Sequence, residues 1–162
     1  MLENEGKVNM AVATSSSTDH YILKTAHLGN LFGKFQEGRI IKGDDVRIPK
    51  GKGKPCSDIY LLALNCINES LKEGEKEVEP EECLVFEDGI PGVVAGRRAG
   101  MRVVWCPHPM LGELYKGKEE MVLAGWMEGE QTLAGELGDG WAEVRESLVG
   151  CDLSKYGIKM GQ

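Results

Sequence analysis

The chain has 162 residues, 41% of them hydrophobic, and a formal net charge of −7. That length bounds it to one domain or one domain with a tail, and the acidic balance argues against a nucleic-acid partner. No apolar run approaches the ~18 residues of a membrane helix, and the N-terminus shows neither the basic nor the apolar region of a secretion signal.

The elements alternate along the chain. Val8 to Thr14 reads as a short buried strand ending in a hydroxyl-rich turn, Thr14-Ser15-Ser16-Ser17. A helix is predicted from about Thr18 to Leu28, with Ser17 or Thr18 as N-cap and Gly29 as its stop. Arg39-Ile40-Ile41 reads as a weak strand before a Gly43-Asp44-Asp45 turn. A basic glycine loop, Lys50 to Pro55, leads into a helix over about Ser57 to Leu71, whose residues Ile59, Leu62, Ala63, Cys66 and Ile67 recur at helical spacing. An acidic connection, Glu73 to Glu82, precedes a strand at Cys83 to Phe86. Pro91 suits the first turn of the next helix and Gly100 its end. Met101 to Cys106 is a further strand, stopped by Pro107 and Pro109. Strands alternating with helices and short turns predict an α/β fold, a parallel sheet flanked by helices. Residues 111–140 are rich in Gly and Glu, show no clear period, and read as an insertion or loose helical segment.

The five cysteines are odd in number and widely spaced, which points to reduced thiols in a cytoplasmic setting rather than a disulfide framework or a zinc site. His20, His27 and His108 are scattered and read as surface or helix-end residues.

Three polar clusters sit at strand ends or helix starts. Thr14-Ser15-Ser16 offers hydroxyls and backbone N–H groups before a helix, suited to a phosphate and equally to helix capping. Lys54 stands before Pro55 at a helix start, where a solvated charge is the plainer reading. Glu87-Asp88 follows a buried strand, where open α/β sheets place ligands and where oxygen donors suit Mg²⁺. Together they make a set for phosphoryl transfer, which needs positioning and charge neutralisation more than covalent machinery.

Ala11-Val12-Ala13-Thr14-Ser15-Ser16-Ser17, Gly53-Lys54-Pro55-Cys56-Ser57-Asp58-Ile59-Tyr60 and Leu84 to Gly92 with Ala95, Ala99, Gly100 and Met101 resemble, in order, the second, third and fourth motifs of the haloacid dehalogenase-like (HAD) hydrolases. Within that family the likeness is to capped phosphatases of the pseudouridine-5′-phosphatase type. It runs from about Lys7 to Pro109, with a weaker echo of the family's last helix and tail at Glu146 to Ile158. Ser57 stands where Pro is common in the family, and Gly89 where Ser is common.

The resemblance implies a Rossmann-like core and Mg²⁺-dependent hydrolysis of a small phosphorylated metabolite. It implies that Thr14 hydrogen-bonds a phosphoryl oxygen, helped by the amide of Ser15, with Ser16 also in the phosphate site. Lys54 would neutralise the phosphoryl group and the nucleophile. Asp88 would ligate Mg²⁺, with Glu87 behind it or bonded to Lys54. The family's nucleophile is the first Asp of an Asp-x-Asp motif on a first strand, followed by a cap domain; this chain contains no Asp-x-Asp. The expectation is therefore an incomplete core at residues 1–110, lacking the nucleophile strand and the cap, an insertion at 111–140, and a C-terminal helix and tail at 141–162. Without its nucleophile the chain cannot form the aspartyl-phosphate, Mg²⁺ should bind weakly, and exposed strand edges would template self-association. The alternative is a phosphate- or partner-binding pseudoenzyme.

Overall fold

A computed structural model describes residues 8–158. They form an α/β structure of two compact units. Among the described residues the first comprises 8–53, 59–78 and 152–158; the second comprises Lys54–Asp58 and Glu79–Cys151.

In the first unit β1 (Val12–Ala13) pairs in parallel with β2 (Ile40–Ile41), Val12 opposite Ile40 and Ala13 opposite Ile41. Between them run α1 (Thr18–Thr25), a 3₁₀ turn at Ala26–Leu28 and α2 (Gly29–Phe32). Gly29 does not stop the helix as expected: it opens α2 with ordinary helical φ. The break falls earlier, and Tyr21 meets Phe32 edge-on with ring centroids 5.7 Å apart. Helix α3 (Asp58–Glu69) buries Ile59, Tyr60, Ala63, Leu64, Cys66 and Ile67. Leu62 stays outside that set, so the buried stripe passes through Leu64 instead.

The second unit holds β3 (Leu84–Glu87), α4 (Ile90–Arg98), β4 (Arg102–Trp105), α5 (Pro109–Leu114), α6 (Glu119–Leu123) and β5 (Ala142–Val144). Its sheet is parallel throughout, in the order β3-β4-β5, with Val85 opposite Val103 and Val104 opposite Glu143. Val93, Val94, Val103, Val104, Trp105 and Val122 form its core, each at most 1% exposed. The glycines of α4 divide the packing. A Cβ at Gly96 would stand 2.8 Å from Val103 Cγ2, so its absence lets the helix lie close on the sheet. Gly100 (φ 75°) supplies the left-handed turn that ends the helix.

Two expectations change. Residues 142–144 are a strand, too short to show alternation, and the last helix expected over 146–158 is a single 3₁₀ turn at Leu153–Tyr156. Within 111–140 the chain forms α5, α6 and a run of turns, pinned by Arg97 of α4. The Arg97 guanidinium pairs with the Asp139 carboxylate, and Val122 and Ala124 are buried. Strands β1 and β3 belong to different sheets, and each is the edge strand of its own.

Candidate functional site

Each sequence-predicted residue sits at the carboxyl end of a strand or in a loop opening a helix. In the first unit β1 runs into Thr14, whose N–H bonds the Ile41 carbonyl at 3.0 Å. Thr14 Oγ1 accepts the Ser16 N–H at 3.1 Å, curling the loop. That bond uses a lone pair and leaves the hydroxyl proton to donate. Ser15 is exposed, and its N–H has no hydrogen-bond partner among the described residues. Ser16 Oγ accepts from Lys24 Nζ at 3.0 Å, and its carbonyl accepts the Gly43 N–H at 2.9 Å. The loop thus presents one hydroxyl proton, one free amide and a nearby ammonium, donors suited to an anion.

The turn after β2 shapes this loop. A side chain at Gly43 would collide with the Ser15 backbone, so only glycine permits the approach. Ser17 holds the N-cap position of α1 without a side-chain cap bond. The cap comes from Asp44, whose oxygens accept the Thr18 N–H at 2.9 and 3.0 Å and the Thr18 hydroxyl at 3.1 Å. The Thr18 amide holds the Asp44 carboxyl below its ordinary range, with the Thr18 hydroxyl and Lys42 acting in the same direction against desolvation. Asp44 was legible only as part of a turn; capping across 26 residues leaves no local signal.

In the second unit Lys54 and Glu87 come together. Lys54 Nζ pairs with Glu87 Oε1, and both side chains are only 9% exposed. The Lys54–Pro55 peptide is cis. The Glu87 carboxylate occupies the space a side chain at Gly92 would need. Gly92 therefore serves the ion pair. Asp88 is exposed, and its carboxylate has no partner among the described residues. Its carbonyl accepts from Trp105 Nε1 at 3.1 Å, and the Glu87 carbonyl accepts the Cys106 N–H at 2.7 Å. The β3–α4 turn is thus fixed from β4, and Trp105, fully buried, is a site-supporting residue that its strand position alone did not reveal. His108 caps α5, its Nδ1 accepting the Met110 N–H at 3.3 Å, in keeping with a helix-end histidine.

The donor set does not fit a Mg²⁺ site built from this chain alone. Glu87 is engaged with Lys54, leaving Asp88, and no three His, Cys, Asp or Glu side chains converge among the described residues. Mg²⁺ demands near-octahedral oxygen ligation, so no catalytic step is derived through the metal.

A family model described as hydrolase, haloacid dehalogenase-like hydrolase, matches residues 1–100. The chain is 40% identical over 156 residues to an uncharacterized Schizosaccharomyces pombe protein, a match covering 96% of this chain and 56% of that protein. It is 38% identical over 151 residues to a Saccharomyces cerevisiae protein named as a probable pseudouridine-5′-phosphatase, covering 93% of this chain and 55% of the relative. The chain spans about half the length of the curated relatives it matches. Among solved structures, an Entamoeba histolytica HAD hydrolase of family IA, variant 3, aligns over 88% of this chain and 49% of its own, with a TM-score of 0.54 at 21% identity, a likeness of fold. No helix among the described residues is long and apolar enough to cross a membrane.

Proposed function

The chain belongs to the haloacid dehalogenase-like hydrolases, and from that premise we propose that it carries the phosphate-binding and charge-neutralising part of a phosphatase acting on small phosphomonoesters. The observation that carries this reading is the nearly dry Lys54–Glu87 pair, beside the exposed Asp88 carboxylate, which has no partner among the described residues, at the end of β3. A fixed cation and a free carboxylate are what a phosphoryl group and its metal require from the protein. Within the first unit, Thr14 and the Ser15 amide are the donors proposed to bind a phosphoryl oxygen. Ser16, tied to Lys24 and Gly43, holds that loop in shape.

Mg²⁺ belongs to the proposal as a family expectation, with Asp88 the residue this chain would contribute and Glu87 acting through Lys54. The division into β1-β2 and β3-β4-β5, with β1 and β3 as edges, supports a core from which the nucleophile-bearing strand is missing. In this reading residues 1–110 are the partial core, 111–140 brace α4, and the remainder completes the sheet. The name of the yeast relative makes a nucleoside monophosphate-like substrate the first to assay. The place of action we propose is the cytoplasm.

A second reading is favoured by the absence of Asp-x-Asp from this sequence: phosphate binding without turnover. The experiment is to isolate the protein from its source cells, determine its intact mass and assay phosphate release from phosphomonoesters with and without Mg²⁺. A mass above 17.7 kDa with Mg²⁺-dependent release, abolished by Lys54→Ala, supports the phosphatase. A mass of 17.7 kDa with phosphate bound and none released supports the second reading. No release and no phosphate binding in either form removes both.

A further inference from the structure

We infer that Arg98 and Glu130 are positioning residues for Lys54, and that the turns of 111–140 act as a brace for the Lys54–Pro55 corner. The inference rests on the reading that Lys54 meets the phosphoryl group. A lysine is a point charge on a flexible four-carbon stem, so its value in a site depends on how firmly its backbone and ammonium are held.

Helix α4 holds this corner at two places. Near its N-terminus, the void at Gly92 receives the Glu87 carboxylate that pairs with Lys54. Six residues on, at about 9 Å of helical rise, Arg98 Nη1 donates to the Pro55 carbonyl at 3.1 Å. The first contact fixes the ammonium and the second fixes the main chain one residue beyond it.

Arg98 is itself held. Its Nη2 pairs with Glu130 Oε2 at 2.6 Å, and the Glu130 carbonyl accepts from Trp126 Nε1 at 3.1 Å. The neighbouring Arg97 pairs with Asp139, whose oxygens also accept the Trp141 N–H at 2.9 Å and the Glu136 N–H at 3.2 Å. Adjacent arginines on one helix thus have separate roles. Arg97 fastens the segment to α4, and Arg98 passes that anchorage to the Lys54 corner. The guanidinium's planar fork of donors lets Arg98 address the Pro55 carbonyl and the Glu130 carboxylate from separate nitrogens.

The test uses the 162-residue chain as Arg98→Ala, Arg98→Lys and Glu130→Gln, with Arg145→Ala as a surface-arginine control in the same unit. Two quantities are read: proton exchange of the Lys54 ammonium by ¹⁵N NMR, and the affinity for inorganic phosphate. We expect Arg98→Ala to speed Lys54 exchange and weaken phosphate binding by about fivefold, the worth of one hydrogen bond. Glu130→Gln should do so by less, and Arg98→Lys should restore only part. Arg145→Ala should move neither. Unchanged exchange in Arg98→Ala, or an equal change in the control, overturns the positioning role, whatever happens to phosphate. If exchange responds as expected while the unaltered chain binds no phosphate, the positioning stands and the functional reading of Lys54 fails.

Discussion

Gly92 is the residue on which the candidate site turns most sharply. Its φ lies outside the left-handed region, so alanine fits the backbone and raises helix propensity by about 1 kcal/mol. The added methyl would nevertheless displace the Glu87 carboxylate and release Lys54. Breaking this nearly dry ion pair outweighs the helix-propensity gain, so we predict that Gly92→Ala lowers the thermal midpoint of the chain and weakens phosphate binding about tenfold, the scale of a charged hydrogen bond. Calorimetric titration beside a melting curve checks both halves. Cys83 offers a separate prediction. Burial pushes its thiol up to about 11, with Glu82 and Glu81 adding to the effect. At pH 8 only about one thiol in a thousand is then ionised, and the thiolate is the nucleophile. Alkylation of Cys83, followed by mass spectrometry, should run far slower than that of a free cysteine and keep accelerating as pH rises toward 11.

At the scale of elements, α1 depends on a residue outside itself. Asp44→Ala removes the acceptors from the first turn of α1 and should lower the thermal midpoint. The Asp44 carboxyl is depressed in the folded state, so its contribution is complete above the ordinary aspartate range and is lost as pH falls through the folded value. The acid arm of the stability profile should flatten in Asp44→Ala, and a profile identical to that of the unaltered chain would contradict the cap. In the second unit the Arg97–Asp139 pair fastens 111–140 to α4. Arg97 is buried, so truncation leaves Asp139 without its cation and should cost about 3 kcal/mol, read from urea denaturation. Burial alone would raise the Asp139 carboxyl, but the Trp141 amide and Arg97 outweigh it and hold it low. That pair therefore also weakens only below the ordinary aspartate range.

Across the whole molecule, the sequence was most readable where a pattern is local. The run Leu84 to Phe86, the Pro91 helix start and Gly100 mark β3, α4 and the turn to β4, and these stand where the patterns put them. β5 was hidden because three residues cannot display alternation, and the α1–α2 corner because an aromatic contact, rather than Gly29, sets it. Lys54, Glu87 and Asp88 were legible as motif residues. The supports around them were not: Gly92 takes its meaning from Glu87, Trp105 from the Asp88 carbonyl, Arg98 from Pro55, and Asp44 from Thr18. Each of these relations joins positions that become neighbours only on folding.

We propose that Lys54 organises a phosphate cradle in this chain. The most direct measurement is binding of inorganic phosphate to the 162-residue chain at low salt, by ³¹P NMR or calorimetry, with Lys54→Met alongside. Saturable binding that falls at least about tenfold in Lys54→Met, the scale of a charged hydrogen bond, is the predicted result. Binding that Lys54→Met leaves unchanged, or no binding at all by the folded chain, contradicts the account.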